Sequence, residues 1–376
     1  MNKMQWIRIN FIIVCIGVSL IASFNYIIDR YGLNNMVHLE GINTNKISNT
    51  NITTRFQIST LSHGGYDTLL LGSSRIGVMD PKVVDRYLGG HSFSLGQPRS
   101  VTSIQYDLFL YALEFNTIKN VVYGIDFLSF NKNNMINTEY LDKEEKIKSR
   151  NREYNFDVYF SFDSFIKNLK FIKHNISGQD VSKIKEPAVY LPENGMRKHV
   201  VYIEALKNGT LDLDNEIHEH LRQYFGGKEN NIYYNYTFSD KYLEYFKKIV
   251  RYCHDHDIRL WVYMPPMLGE HFDAIYAAGY FDEYEHYEKE IAKITDFIDF
   301  TGINTISMDK DNYWDSSHLR EEFTPVVMAR IFYDTSVKVP NDFGVLVTKE
   351  NVDAHLDALR TQVRPYDIRP LLINNN

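Results

Sequence analysis

Residues 66–75 read Tyr-Asp-Thr-Leu-Leu-Leu-Gly-Ser-Ser-Arg. A short apolar run that ends in glycine is typical of a central parallel strand buried on both faces. Gly72 lets the chain turn sharply, and Ser73 and Ser74 then follow the carboxyl end of the strand, where open α/β sheets bind their ligands. This stretch therefore predicts an α/β fold with hydroxyl groups at the edge of its sheet.

Three later segments have the same apolar character, and helical patterns lie between them. The apolar runs are residues 120–127, 258–264 and 297–300, and the main helical patterns cover 100–115 and 239–256. Strands that alternate with helices of this length predict βαβ units. We expect a three-layer α/β/α domain with a mostly parallel central sheet.

The N-terminus carries a candidate membrane anchor. Residues 9–28 form a run of twenty residues without a charge, which as a helix rising about 1.5 Å per residue matches a hydrocarbon core of about 30 Å. Lys3 and Arg8 precede the run, so the positive-inside rule predicts a cytoplasmic N-terminus and an exported main domain. A cleaved signal peptide is the alternative, but no clean small-x-small site follows the run. We expect a single-pass protein of the bacterial cytoplasmic membrane.

The chain divides into four parts by its patterns. These are a cytoplasmic tip and anchor (1–29), a polar lead-in (30–62), the α/β domain (63–338) and a C-terminal extension (339–376) with a helical pattern at 349–362. Residues 131–238 interrupt the strand–helix alternation and are too long for a loop. We interpret them as a largely helical insertion.

The bulk composition excludes several classes of function. Hydrophobic residues make up 44% and charged residues 24% of the chain, so a folded core is expected. The net charge of −7 gives no basic footprint for nucleic acid. There is no glycine-rich phosphate loop and no cysteine spacing for zinc, and we predict neither a cofactor nor a metal. The two histidines in 253–257 lie two residues apart, on different helix faces, and 216–220 lacks the His-Glu-x-x-His spacing, so both segments are interpreted as solvated helix surface.

Asp315 and His318 complete a possible catalytic set. A serine hydroxyl becomes a nucleophile only when a base within hydrogen-bond reach takes its proton, and a carboxylate must orient that base. Asp315 and His318 stand three residues apart, after the last apolar run and before a helical pattern at 321–334. They are therefore expected at the same sheet edge as Ser74, as a Ser–His–Asp site.

These blocks resemble the SGNH (GDSL-like) hydrolase superfamily over about 64–130 and 239–335. The strand ending in Gly-x-Ser and the late Asp-x-x-His resemble its first and last blocks. Gly96, in 94–99, is similar in position to the family's oxyanion glycine after the second strand, and Asp126, in 123–126, to an oxyanion asparagine. The resemblance implies that Ser74 is the nucleophile, that His318 is the base oriented by Asp315, and that the N–H groups of Ser74 and Gly96 bind the oxyanion.

Two positions depart from the family pattern. Ser73 replaces the usual aspartate before the nucleophile. Asp126 stands where an asparagine would donate a hydrogen bond, and an ionised carboxylate cannot donate. Asp126 therefore turns away, is protonated, or leaves the oxyanion hole with backbone donors alone.

The anchor and these blocks together resemble envelope proteins that work beside membrane-bound O-acyltransferases. The resemblance implies an extracytoplasmic O-acyltransferase or esterase, with a cell-envelope or exported polysaccharide as the glycan substrate and a membrane-bound O-acyltransferase as partner. Arg75, Arg99 and His271 are candidates for binding substrate, an anionic glycan in the case of the arginines, with structural arginines as the alternative. Two other hypotheses remain: a degenerate domain that binds polysaccharide or scaffolds a membrane acylation or secretion complex, and a cytosolic enzyme with a hydrophobic N-terminal helix.

Overall fold

A mostly parallel sheet forms the centre of the protein. The structure, a computed structural model, describes residues 2–34, 36–37, 39–43, 53–134, 158–177, 189–191 and 193–372. The strands of this sheet are β1 (Thr68–Ser73), β2 (Ser92–Gln97), β3 (Asn120–Gly124), β6 (Arg259–Met264), β7 (Phe297–Asp299) and β8 (Val345–Val347), and a separate hairpin pairs β4 (Val189–Tyr190) with β5 (Arg197–Lys198). The main sheet has the order β2-β1-β3-β6-β7-β8, parallel except for β8. The predicted mixed α/β fold with a mostly parallel sheet is confirmed.

Helices connect and cover these strands. They are α1 (Lys3–Ile28), α2 (Thr53–Leu61), α3 (Ser74–Gly77), α4 (Pro81–Leu88), α5 (Thr102–Phe115), α6 (Phe162–Ile176), α7 (Val200–Lys207), α8 (Leu213–Phe225), α9 (Asp240–Asp255), α10 (Gly269–Ala277), α11 (Phe281–Ala292), α12 (Thr324–Ile331) and α13 (Val352–Gln362). Helix α5 packs on β1 and on α9, and α4 packs on β2 and on α12. Helix α9 begins after Ser239, whose side chain accepts a hydrogen bond from the backbone of Tyr242, as the sequence predicts for an N-cap.

The chain changes direction across the sheet at β1. It passes from β1 to β2 on one side and then returns to β3 on the other, and open α/β sheets bind their ligands beyond the strand ends at such a switch point. The apolar run 120–127 is a strand only as far as Gly124, because Ile125 and Asp126 leave the ladder and a short 3-10 turn follows at Phe127–Phe130. Asp126 therefore lies beyond the strand end, near the switch point.

Helix α1 is long and apolar enough to span a membrane, and most of its side chains are exposed. Its C-terminal end docks on the start of α6: the Asn25 side chain donates to the carbonyl of Tyr159 at 2.7 Å, and Arg30 donates to the carbonyl of Ser164 at 3.0 Å. The side of the membrane on which the main domain lies stays a prediction.

The insertion and the C-terminal extension both add to the α/β domain. The described parts of 131–238 contain helices α6, α7 and α8 as well as the β4–β5 hairpin, while 135–157 and 178–188 lie outside the described residues. The extension contributes α13, which the sequence predicts, and β8, which it does not. Strand β8 has three residues, too few for a period to be recognised in a polar segment.

Candidate active site

Glycines at the ends of three neighbouring strands make room for the turn that carries Ser74. Gly72 of β1 is in register with Gly96 of β2 and with Gly124 of β3. A Cβ on Gly96 would overlap the backbone of Gly77 and lie 2.8 Å from the carbonyl oxygen of Ser73, and a Cβ on Gly124 would overlap the side chain of Ile76. Helix α3 therefore rests directly on the bare strand ends, in a position that side chains at the sheet edge would block.

The two serines of this turn have different surroundings. Ser73 caps α3 and accepts a hydrogen bond from the backbone of Arg75 at 3.2 Å. Its hydroxyl donates to the Asp126 carboxylate. Ser74 is the first residue of α3 and its hydroxyl points to the opposite loop, where it meets His318. Of the two hydroxyls, that of Ser74 is the one placed beside a base, as predicted.

Ser74, His318 and Asp315 form a continuous hydrogen-bonded chain. The Ser74 Oγ lies 2.8 Å from Nε2 of His318, and Nδ1 of His318 lies 2.6 Å from Oδ2 of Asp315. Because an ionised carboxylate only accepts, it places the ring proton on Nδ1 and leaves Nε2 free to accept from the serine. This is the relation of nucleophile, base and orienting acid that serine acyl transfer requires.

A tight loop holds the acid and the base in this relation. Oδ1 of Asp315 accepts from the backbone amides of Ser317 and His318 at 2.8 and 2.9 Å, and the amide of Trp314 donates to the carbonyl of His318 at 2.8 Å. Burial alone would raise the pKa of Asp315, but His220, His318 and the Ser317 amide hold that pKa well below its usual range. Asp315 is therefore a permanently ionised partner for His318.

A second histidine reaches the same carboxylate, so the prediction of a solvated helix surface for 216–220 is wrong at His220. His220, on α8 of the insertion, has Nδ1 3.2 Å from Oδ1 of Asp315 and 2.8 Å from the hydroxyl of Ser316. Burial lowers the pKa of His220 to about 4, so the ring is neutral at pH 7. The negative charge of Asp315 favours the tautomer with its proton on Nδ1.

His271 contacts the Ser316 hydroxyl together with His220. Its Nδ1 is 3.0 Å from the same Ser316 hydroxyl, and its ring packs against Tyr224 with centroids 4.5 Å apart. The side chain is fully buried, and burial holds its pKa well below the usual range. The predicted substrate-binding residue is thus placed as a support for the Asp315 loop.

The insertion also reaches the base itself. Nη1 of Arg197, on β5, lies 3.3 Å from Nε2 of His318, and the buried ring of His199 lies 5.4 Å from that of His318 between centroids. Neither residue has a motif that sequence spacing reveals. Ser74 is only 6% exposed, and residues of hairpin β4–β5 and helix α8 contact its two partners, His318 and Asp315.

Asp126 turns toward Arg75 and Ser73. Its Oδ1 lies 3.1 Å from Nη1 of Arg75, and its Oδ2 accepts from the Ser73 hydroxyl. Burial raises the pKa of Asp126, while Arg75 and Ser73 act in the opposite direction. Oδ2 is the oxygen that accepts a hydrogen bond, while Oδ1 faces the guanidinium as an ion pair, and an ionised Asp126 has no donor to offer an oxyanion. Arg75 is itself buried in this pair, which favours the structural alternative for that arginine.

Gly96 and Arg99 lie on either side of the end of β2. Gly96 belongs to the strand rather than following it, and its amide is 3.4 Å from the hydroxyl of Ser94. Its packing against α3 explains the glycine, and its role as an oxyanion donor stays a prediction. Arg99 donates to the carbonyl of Asn230 at 2.8 Å and so joins β2 to the insertion.

A metal ion is the competing use of these side chains. The ligand atoms of His220, Asp315 and His318 lie within 4.8 Å of one another. An ion bound between them would take the Asp315 oxygen and His318 nitrogen that now bond to each other, so the metal and the serine mechanism exclude one another.

No protein-family model and no curated protein matches this chain.

Proposed function

We propose that the protein is a serine-dependent O-acyltransferase or esterase. The observation that carries the proposal is the chain of contacts from Ser74 through His318 to Asp315, at 2.8 and 2.6 Å. Ser74 Oγ attacks the acyl carbonyl while His318 Nε2 takes its proton. His318 then protonates the departing oxygen, and the acyl group stays on Ser74 until an acceptor hydroxyl or water, deprotonated by His318, removes it.

The closed surroundings of Ser74 favour transfer over hydrolysis. Ser74 is 6% exposed, and a site that excludes bulk water protects an acyl-enzyme from hydrolysis. We propose a glycan hydroxyl as the acceptor, from a cell-envelope or exported polysaccharide. A membrane-bound O-acyltransferase would supply the acyl group.

We further propose that the domain has the three-layer SGNH type of architecture and lies outside the cytoplasmic membrane. The return of the chain across β1 and the position of Ser74 after that strand support the first part. The apolar α1, whose N-terminal end carries Lys3 and Arg8, supports the second. Alkaline phosphatase fused to the C-terminus should be active in bacteria, and an inactive fusion of full length would contradict the exported placement.

Labelling with a serine-directed fluorophosphonate tests the catalytic proposal. The full-length protein in detergent should be labelled, and peptide mapping should place the adduct on Ser74. Ser74→Ala and His318→Ala should abolish labelling, whereas the matched control Ser336→Ala, at an exposed serine, should label as the natural protein does. Unchanged labelling in Ser74→Ala would sink the proposal.

A non-catalytic polysaccharide-binding or scaffolding domain is the second candidate. It is favoured by Asp126, which offers the oxyanion no donor, and by Arg197, which contacts the nitrogen that must accept the serine proton. A folded protein that resists the fluorophosphonate yet binds envelope polysaccharide would support this candidate over the enzyme.

A further inference from the structure

A second cluster of ionisable groups lies at the end of β7, where the C-terminal extension meets the domain. Glu288 comes from α11, Asp299 from the end of β7 and His355 from α13. Nε2 of His355 lies 2.8 Å from Oδ2 of Asp299 and 3.6 Å from Oε2 of Glu288. One ligand atom from each residue lies within 4.8 Å of those from the other two.

Two buried carboxyl groups and one imidazole make up this cluster. Glu288 is fully buried and Asp299 is 2% exposed. Among the described residues His355 is the one basic side chain that pairs with either of them. Buried carboxylates are stable when they are paired or coordinate a metal ion, and one imidazole is a single partner for two such groups.

Glu288 points into the cluster without a hydrogen bond. Neither carboxylate oxygen has a hydrogen-bond partner among the described residues. Asp299, by contrast, is held in place, since its two oxygens accept from the backbone and the hydroxyl of Thr301 at 2.8 and 3.0 Å. The Thr301 hydroxyl in turn lies 2.7 Å from that of Tyr284. Such an outer layer of hydrogen bonds is what orients carboxylates that bind metals.

We propose that Glu288, Asp299 and His355 bind a divalent transition-metal ion, and that the ion is zinc. One imidazole nitrogen and two carboxylate oxygens are a ligand set that zinc takes in proteins, whereas magnesium and calcium prefer oxygen alone. The double positive charge neutralises both carboxylates. His355 binds as the neutral imidazole, through the Nε2 atom that already faces both acids.

The ion fastens the C-terminal extension to the domain. Glu288 and Asp299 come from a helix and a neighbouring strand of the main domain, whereas His355 comes from the extension, 56 residues after Asp299. Because the unfolded chain does not hold these groups together, zinc stabilises the folded state in proportion to its free concentration. This site shares no residue with Ser74, His318 and Asp315, so it stands whether or not the protein is an enzyme.

Metal analysis of the full-length protein in detergent tests the proposal. Protein dialysed against zinc and then against metal-free buffer should retain one equivalent of zinc per chain, measured by inductively coupled plasma mass spectrometry. Treatment with EDTA should remove the zinc and lower the melting temperature, and zinc chloride should restore it. Cobalt should substitute and give a visible absorption band.

Matched variants assign the metal to this cluster. Glu288→Gln, which keeps the shape and removes one charge, should lose the zinc and the response to EDTA. His220→Gln, which alters the other group of candidate ligands, should keep both. The proposal is overturned if the natural protein holds no zinc and its melting temperature is unchanged by EDTA and by added zinc. It is equally overturned if the metal persists in Glu288→Gln but is lost in His220→Gln, since the ion would then lie beside Asp315.

Discussion

Replacing Asp126 by asparagine is the most informative change at the site. By resemblance to SGNH enzymes, Asp126→Asn would supply a missing oxyanion donor and increase activity. The structure leads to the opposite expectation, because Asp126 balances the buried charge of Arg75 at 3.1 Å. We expect a less stable protein with no gain in activity.

The size of the loss can be worked out from the contacts. The Ser73 hydroxyl can rotate to accept from the new amide, so the one hydrogen bond of the carboxylate can be rebuilt. What is lost is the opposing charge of a fully buried guanidinium, which pairs with Asp126 through charge alone. Removing one partner of a buried pair costs about 3–5 kcal/mol, and the rebuilt hydrogen bond places this change at the lower end, about 3 kcal/mol. For a domain of this size that lowers the melting temperature by about 6–12 °C.

The assay is thermal unfolding followed by circular dichroism, together with fluorophosphonate labelling rates. The double variant Arg75→Met/Asp126→Asn is the matched control: it removes both charges, and its melting temperature should lie closer to that of the natural protein than that of Asp126→Asn. If Asp126→Asn has the natural melting temperature and labels faster, the buried charge of Arg75 does not need Asp126, and the side chain at position 126 is free to donate to the oxyanion.

Three further changes test the surroundings of the triad. His220→Gln should reduce the loss of stability that the natural protein shows at acid pH. The folded pKa of His220 is about 4, below the ordinary 6.5, so the unfolded chain binds the extra proton and the free energy of unfolding falls by up to roughly 3 kcal/mol as pH falls between these values. Urea unfolding at pH 7 and pH 5 measures this difference, and an equal difference in the variant and the natural protein would contradict it. Arg197→Met removes the positive charge beside His318 Nε2. A cation at this position opposes the imidazolium that forms when His318 takes the serine proton, so the methionine variant should react with the fluorophosphonate several-fold faster, while Arg197→Lys should stay close to the natural rate. A slower reaction of the methionine variant would contradict this reasoning. Gly96→Ala should displace Gly77 and the turn above it, so the rate of fluorophosphonate labelling should fall strongly even where the melting temperature changes little. A variant that labels at the natural rate would show that the turn does not rest on the strand.

The triad could be predicted because each of its two halves carries a local sequence signal. Ser74 follows an apolar run that ends in glycine, and parallel strands direct such ends to one edge. Asp315 and His318 stand three residues apart in a single loop, and the Asp315 side chain closes that loop through backbone amides. Chain order and short-range geometry were enough to bring the three residues together.

The residues around the triad could not be predicted, because their positions depend on how the insertion folds back. Arg197 and His220 are separated from His318 by about a hundred residues, and no spacing connects them. The direction of Asp126 depends on its pairing with Arg75, a contact between two strand ends that appears only when β1 and β3 are neighbours. Local pattern therefore indicates the reacting groups, while their electrostatic environment is a property of the tertiary fold.

The row formed by Gly72, Gly96 and Gly124 has a consequence for how this protein can change over generations. All three make room for the same turn, so a side chain at any one of them pushes α3 off the sheet. Once the turn has moved, a second side chain in the row meets little resistance, and the combined penalty is smaller than the sum of the separate ones. Descendants that no longer need Ser74 beside His318 are therefore free to lose these glycines together, whereas descendants that keep this contact are held to all three.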